Sequence, residues 1–148
     1  MRSFVLFSLA LSLAGCGPTV SPIEALLTRE VTLPGGRIIK AETAVDTRDT
    51  LRGLMFRSSL APDHGMLFVH PVNGNYSYWM YQTYIPLDMI WMDENHRIVE
   101  LVESAPPCKT VASKCAHFGG HETARFVLEL NGGSIRKFGL KKGETIQW

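Results

Sequence analysis

Short apolar runs separated by turn-forming residues make up most of this chain. Runs rich in β-branched and aromatic residues predict strands. In chain order they cover residues 29–33, 37–45, 65–70, 87–93, 97–104, 124–130 and 141–148. A Pro-Gly-Gly turn at residues 34–36 joins the first two runs, and residues 93–96 form a hairpin turn between two later ones.

Two short segments have a helical pattern instead. Asp46 is placed to cap a helix, with Asp49 three residues on and Leu51, Leu54 and Met55 on one face. A second helix, with Ile135 and Phe138 on one face, is predicted to stop at Gly139. The chain is therefore predicted to be mainly β with two short helices, an α+β domain. Its strands form either a compact, largely antiparallel sheet or a partly closed small barrel.

The N-terminus has the pattern of an export signal. A basic residue, Arg2, precedes an apolar run over residues 4–11, too short for a comfortable transmembrane helix. The sequence Leu13-Ala14-Gly15-Cys16 resembles a bacterial lipobox. We therefore predict a lipoprotein signal peptide at residues 1–15, a tether at 16–28 and a single domain at 29–148. The alternatives are an ordinary cleaved signal peptide or an uncleaved anchor.

Similarity to bacterial lipoproteins implies a location for the mature protein. Cleavage would leave Cys16 as the first residue, acylated on sulfur and nitrogen and held on a membrane. Gly17 rather than Asp follows the cysteine, which favours the outer membrane, facing the periplasm, if the cell has two membranes. The implied partners are the membrane, through the lipid anchor, and an unknown ligand or protein of the cell envelope.

The amino-acid composition narrows the classes of function that this chain can have. The chain has 148 residues, 45% hydrophobic and 20% charged, which is typical of one globular domain. It has 15 basic and 14 acidic residues, and loss of Arg2 with the signal leaves 14 of each. This balance argues against a nucleic-acid partner. The sequence also has no internal repeat, phosphate-binding glycine loop or serine nucleophile elbow, and it predicts no oligomeric state.

Two cysteines remain once Cys16 is lipidated. Cys108 and Cys115 would form a disulfide in an oxidising compartment. The alternative is a zinc site that also uses His117 and His121, but six residues between the cysteines exceed the usual spacing. We predict the disulfide, and neither a metal nor a cofactor.

Three longer motifs lie in a fixed order along the chain. They are Arg52-Gly53-Leu54-Met55-Phe56-Arg57 at 52–57, Asp63-His64-Gly65-Met66-Leu67-Phe68 at 63–68, and the run from Trp79 to Asp88 at 79–88. Together they resemble the family called domain of unknown function 192, whose pattern continues through the paired cysteines and residues 126–133 and 139–144. The resemblance covers the chain from about residue 30 to its end. It implies a small, β-rich, barrel-like domain and no particular activity.

The chain departs from that family pattern at two positions. Tyr81 and Gln82 stand where the family usually has Lys and Asn. Loss of the lysine removes a positive charge, so the resemblance implies a less charged ligand, or weaker binding, in this chain.

Asp88 lies within an almost wholly apolar stretch, where an unpaired charge would cost several kcal/mol. We expect Arg52 or Arg57 to be its partner. In one interpretation Asp88 accepts hydrogen bonds from backbone amides and an arginine, and locks a helix onto the sheet. In the other it opens to a ligand cleft formed by Arg52, Trp79, Gln82, Thr83 and Asp88.

In the cleft interpretation Tyr81 and Tyr84 would add stacking area, although the rings could equally belong to the core.

Two candidate functions follow from these interpretations of Asp88. The favoured one is a lipid-anchored binding or accessory module for a glycan, a peptide or an envelope protein, with no catalytic residue. The alternative is a small hydrolase with Asp88 as general base, Arg52 stabilising an anion and His70 as a second group. A buried Asp88 would argue against the hydrolase.

Overall fold

The computed structural model of the protein describes residues 26–148. The predicted signal peptide, Cys16 and all but the last three residues of the predicted tether lie outside the described residues. Among residues 26–148, no helix is both long enough and apolar enough to cross a bilayer.

The described chain is mainly β with two short helices, as predicted. Its elements are β1 (Thr28–Thr32), β2 (Ile38–Ala44), α1 (Thr47–Arg52), β3 (His64–Gly74), β4 (Tyr78–Trp79), β5 (Leu87–Met92), β6 (Ile98–Ala105), a 3₁₀ turn (Ala112–Lys114), β7 (His117–Phe118), β8 (Ala124–Asn131) and α2 (Ser134–Phe138). The sequence pattern did not predict β4 and β7, because two residues are too few to show a periodicity. These two strands pair with each other as a separate small sheet.

Six strands form one mixed sheet in the order β1-β2-β3-β8-β5-β6. Its neighbouring strands run antiparallel except for β2 and β3, which are parallel. Across the described chain β1 and β6 remain edge strands, so the sheet is open. The largely antiparallel sheet is confirmed, and the barrel alternative, including the barrel-like shape implied by the family resemblance, is wrong.

The C-terminal segment was predicted to be a full strand but forms only isolated bridges. Gln147 pairs with Thr32 of β1, and Thr145 pairs with Arg97 beside β6. The backbone N–H of Ile98 donates to the carbonyl of Glu144 at 2.8 Å. The segment therefore links the two edges of the sheet at one end, without continuing the ladder.

The sheet separates two hydrophobic cores, because the central strands β5 and β8 are buried on both faces. The α2 face of the sheet carries one core, which includes Leu33, Ile39, Leu67, Ile90, Leu128, Leu130 and Ile135. The opposite face, here called the α1 face, carries a second core, which includes Leu54, Met66, Phe68, Met80, Met89, Trp91 and Val127.

The predicted N-cap of α1 and the predicted end of α2 are confirmed, but α1 ends at Arg52, so Leu54 and Met55 lie beyond it and the predicted helical face is wrong. The Asp46 side chain accepts a hydrogen bond from the Asp49 N–H at 2.8 Å, which caps α1. Gly53 ends α1 with φ of 46°, and a Cβ there would lie 3.2 Å from Cζ of Phe68. A glycine is needed at this position both for the backbone conformation and for the close approach to the ring. Gly139, with φ of 66°, ends α2.

Candidate functional site

Two carboxylates are buried in the middle of the sheet, on opposite faces. Asp88 of β5 is paired with Leu130, and Met89 is paired with Glu129 of β8. Successive side chains of a strand point to opposite faces, so Asp88 lies on the α2 face and Glu129 on the α1 face. Asp88 is 0% exposed and Glu129 is 4% exposed. Their surroundings differ in the supply of hydrogen-bond donors.

Asp88 is fully satisfied by backbone amides. Its Oδ1 accepts from the N–H of Ser104 at 2.7 Å and of Gly133 at 2.9 Å. Its Oδ2 accepts from the N–H of Ile135 at 2.6 Å. Two of these donors lie at the start of α2, so Asp88 fastens that helix to the sheet. This geometry agrees with the interpretation in which Asp88 locks a helix onto the sheet, except that no arginine takes part.

The expected arginine partners of Asp88 lie elsewhere, and that prediction is wrong. Arg57 donates to both carboxylate oxygens of Glu42, at 2.5 and 2.6 Å. Arg52 is exposed at the end of α1 and lines a cleft on the opposite face of the sheet. The peptide amides at the β6 bulge and the α2 turn occupy the positions that we had expected a guanidinium to fill.

Glu129 lies on the wall of a cleft on the α1 face. The cleft is bounded by the end of α1, by β4 and by the sheet, and its lining includes Arg52, Met55, Phe68, Tyr78, Trp79 and Thr83. Its volume is about 30 Å³. This is enough for a water molecule or one small polar group and too little for a sugar ring. Within residues 26–148 no hydrogen bond to the Glu129 carboxyl is formed.

Aromatic side chains form one side of this cleft. The Trp79 ring lies 6.0 Å from the His117 ring at an interplanar angle of 28°, and 5.3 Å from the Tyr81 ring. Pairing of β4 with β7 sets Trp79 opposite His117. Tyr78 Oη shares a hydrogen bond with His70 Nε2 at 3.0 Å, and its ring packs edge-on against Phe68.

The titratable groups beneath the cleft are neutral at pH 7. Burial raises the pKa of Glu129 to about 8. Burial, together with the nearby Glu129 and Tyr76, raises the pKa of Tyr78. Burial and the positive charge of Arg125 lower the pKa of His70 to about 4. Glu129 is therefore a mostly protonated carboxyl group in an apolar, aromatic setting.

The structure brings together three of the five predicted site residues. Arg52, Trp79 and Thr83 line the cleft. Gln82 is a neighbour that supports the same loop, with φ of 56° and its carbonyl accepting from the Phe56 N–H at 2.7 Å. Asp88 is on the other face. Whether the three residues bind a ligand stays a prediction.

Sequence reasoning missed Glu129 and Tyr78. Glu129 had the same signal as Asp88, a carboxylate flanked by apolar residues within a β-prone run. Of the other predicted residues, Tyr81 lies beside Trp79 with the two rings tilted at 40°, whereas Tyr84 is exposed and contacts Phe56 edge-on. His70 is buried on the α1 face and is hydrogen-bonded to Tyr78. It is therefore not a partner of Asp88, which lies on the α2 face.

The predicted disulfide is confirmed, because Cys108 and Cys115 are bonded to each other. The N–H of Cys108 donates to the Met80 carbonyl at 3.1 Å, which ties this loop to the strand that carries Trp79. His121 instead pairs with Glu100, through Nδ1 at 2.6 Å. No group of three metal-ligating side chains comes together within the described chain.

A second, larger hollow lies beside α2, with a volume of about 260 Å³ and a lining that includes Leu60, Asn131, Ser134 and Lys137. Its amide side chain, Asn131, already donates to the carbonyls of Leu60 and Ala61. Among residues 26–148, no buried ionisable group faces it. The smaller cleft over Glu129 is therefore the better candidate site, because it holds an unpartnered polar group.

Comparison with known proteins identifies the family. The sequence profile of DUF192, described as "Uncharacterized ACR", matches residues 30–148. A UPF0127 protein of Thermococcus gammatolerans is 32% identical over 99 residues, which are 66% of this chain and 58% of that protein. The chain therefore matches less than two thirds of that relative's own length.

Two solved structures resemble this one. A protein of unknown function from Novosphingobium aromaticivorans has a TM-score of 0.76 at 27% identity, over 96% of this chain and 100% of that chain. A candidate transcription regulator from Sinorhizobium meliloti has a TM-score of 0.70 at 33% identity, over 80% of this chain and 89% of that chain.

Proposed function

We propose a function from the premise that this chain belongs to the DUF192 family, whose description names no activity. The protein is a lipid-anchored module of the cell envelope, held to the membrane through Cys16. It binds a glycan, a peptide or an envelope protein, and one small polar group of that ligand enters the cleft over Glu129.

The observation that carries this proposal is the unpartnered carboxyl group of Glu129. Within residues 26–148 the side-chain atoms fully buried without a partner are Thr43 Oγ1 and Arg125 Nε. The Glu129 carboxyl group differs from them, because it is 4% exposed and lines the cleft, where an incoming group can bond to it. Arg52, Thr83 and the Trp79 ring lie around the same cleft. A buried polar anchor beside a flat ring is typical of sites that orient a ligand.

The alternative function, a hydrolase with Asp88 as general base, has no support in this geometry. A general base must reach the proton that it removes. Asp88 is 0% exposed, and both of its oxygens already accept backbone hydrogen bonds. His70 is bonded to Tyr78 on the other side of the sheet. We therefore propose a binding module rather than an enzyme.

A nucleic-acid partner is not part of the proposal. The S. meliloti relative is described as a candidate transcription regulator, but this chain has 15 basic and 14 acidic residues, and within residues 26–148 three of the basic ones pair with carboxylates. Nucleic-acid binding domains need a concentrated positive surface.

The membrane anchor is tested with Cys16→Ser in the full-length chain. Wild-type protein is expected to partition into detergent and to carry the mass of acyl chains, because Cys16 supplies the thiol that is acylated. The variant is expected to lose both properties. An unmodified wild-type protein in the aqueous phase would refute the anchor.

The binding site is tested with soluble muropeptides, which present both glycan and peptide. Their retention by detergent-solubilised wild-type protein is compared with that by Glu129→Ala and by Glu122→Ala, an exposed acidic control on the loop before β8. We expect Glu129→Ala to lose retention and Glu122→Ala to keep it. Equal retention by all three proteins would contradict the proposed site.

A further inference from the structure

We propose that Glu129 is the counter-ion for an ammonium group of the ligand, so that the cleft recognises a primary amine. This inference rests on the proposed binding function and narrows its ligand class. Two envelope sources share this chemistry: an amino sugar with a free amine, and a lysine-like side chain of a peptide.

The first argument compares Glu129 with the other inward-facing carboxylates of residues 26–148. Asp88 accepts hydrogen bonds from three backbone amides, and Glu42 accepts hydrogen bonds from two nitrogens of the Arg57 guanidinium. Glu100 accepts from the His121 N–H at 3.0 Å and from His121 Nδ1. Of these carboxylates within that part of the chain, Glu129 alone lacks a donor, and it lies on the cleft, where a ligand can supply one.

The second argument is the chemistry and size of the cleft. Phe68, Tyr78 and Trp79 line the same cleft as the carboxyl group, and aromatic rings attract a cation that lies over a ring face within about 6 Å. The hydroxyl of Tyr78 is already engaged with His70. A volume of about 30 Å³ admits an ammonium head while the rest of the ligand lies outside, along Trp79.

No charged side chain of residues 26–148 forms an ion pair with the Glu129 carboxyl group. Met66 and Met89 are its partners on the two neighbouring strands. Tyr78 faces it from β4, and Arg52 is exposed at the cleft mouth at the end of α1. Arg125, on the same strand, acts on His70. Glu42, two strands away, is neutralised by Arg57.

Binding an ammonium group in this cleft has a defined proton balance. In the free protein at pH 7 the Glu129 carboxyl is mostly protonated, because burial raises its pKa to about 8. The ammonium group favours the carboxylate and lowers that pKa. Glu129 therefore gives its proton to the buffer, and the bound state is an ammonium–carboxylate pair. A neutral ligand leaves the proton on Glu129.

The experiment uses pairs of probes that differ only in this charge. Glucosamine is compared with N-acetylglucosamine, and Nα-acetyl-lysine with Nα,Nε-diacetyl-lysine, by titration calorimetry and NMR on the full-length protein. We expect the ammonium member to bind at least tenfold more tightly in the pair that matches the natural source. Calorimetry at pH 7 in two buffers of different ionisation enthalpy should show release of close to one proton per amine bound.

Glu129→Gln is the isosteric neutral variant, and Glu122→Gln is its exposed control. We expect Glu129→Gln to lose at least tenfold in ammonium affinity and to abolish proton release, whereas Glu122→Gln changes neither. If Glu129→Gln does not fold, as judged by its urea midpoint, the proton count of the wild-type protein decides the question.

Three results would overturn the inference. They are equal affinity for the acetylated probes, no proton release by the wild-type protein, and no binding of either ammonium probe. The proposed function survives each of them if muropeptides are still retained in a Glu129-dependent manner. It fails separately if that retention is absent.

Discussion

Asp88 and Glu129 are neighbours across the same sheet, yet their surroundings are opposite. Both are central, buried and negatively ionisable. Asp88 has three amide donors, and Glu129 has none from residues 26–148. The comparison teaches that the burial of a carboxylate does not by itself identify a site. The supply of donors decides whether the group holds the fold together or is left for a ligand.

The difference arises from irregular backbone on one face only. The β6 strand bulges opposite Asp88, where Ser104 has φ of 49° and turns its N–H toward the carboxylate. Gly133, with φ of 88°, starts α2 and adds a second amide. Around Glu129 the ladders of β3, β8 and β5 are regular. Their N–H groups bond along the sheet and are not available to a side chain.

The largest effect is expected from Asp88→Asn. The new NH₂ group would face the N–H of Ile135, which now donates to Oδ2 at 2.6 Å, so one buried donor loses its acceptor. We expect a loss of about 3 kcal/mol or more in the free energy of unfolding. Urea midpoints at pH 7 measure it, with Glu129→Gln as the matched carboxyl-to-amide control. Similar midpoints for the two variants would remove the distinction between the carboxylates.

Removal of the disulfide should lower the global stability and, beyond that, affect only the α1 face. The bond between Cys108 and Cys115 closes a loop with a sequence separation of 7. Its loss in Cys108→Ser/Cys115→Ser is expected to cost about 2–3 kcal/mol through the entropy of the unfolded chain. Because the loop is hydrogen-bonded to Met80, next to Trp79, muropeptide retention should fall as well.

In that double variant, the amides around Asp88 should lose only as much protection from hydrogen exchange as the lower global stability explains. Selective loss of protection at Ser104 and Ile135 would show that the two faces are coupled.

The pH dependence of stability should separate the two acids next. Burial raises the pKa of Glu129 from 4.5 to about 8. Between these values the folded chain holds a proton that the unfolded chain releases, so stability falls as pH rises through this window. The slope is at most about 1.4 kcal/mol per pH unit. The variant Glu129→Gln removes this pH-dependent contribution to the free energy of unfolding.

Relative to wild type, Glu129→Gln should therefore become more stable as pH rises from 5 to 8, measured by urea unfolding at each pH. Parallel curves for the two proteins would mean that Glu129 is ionised and paired in solution.

The smallest effect is expected from Glu42, a third carboxylate in the same row of the sheet as Glu129. The hydrogen bond from Arg57 holds the pKa of Glu42 below its ordinary value of 4.5. Its stabilising contribution is therefore present above pH 4.5 and is lost as pH falls. Both side chains are partly exposed, so Arg57→Ala should cost roughly 0.5–1 kcal/mol at pH 7 and less at pH 3. An equal cost at both pH values would assign the effect to packing.

Local sequence signals determined much of the fold. The strand runs other than residues 141–148, the Asp46 cap, the stop at Gly139 and the turn at residues 93–96 are confirmed, because each depends on residues close together in the chain. The pairing of Cys108 with Cys115 also followed from residue type and compartment. The three motifs were enough to identify the DUF192 family.

The tertiary structure alone decided which face each acid occupies and what meets it there. Asp88 and Glu129 have the same signal in the sequence, a carboxylate within an apolar run. Their difference depends on donors 16, 45 and 47 residues away from Asp88 and on the pairing of β4 with β7. The positions of those amides follow from strand order, register and one bulge. These features come from long-range packing, so no local pattern encodes them.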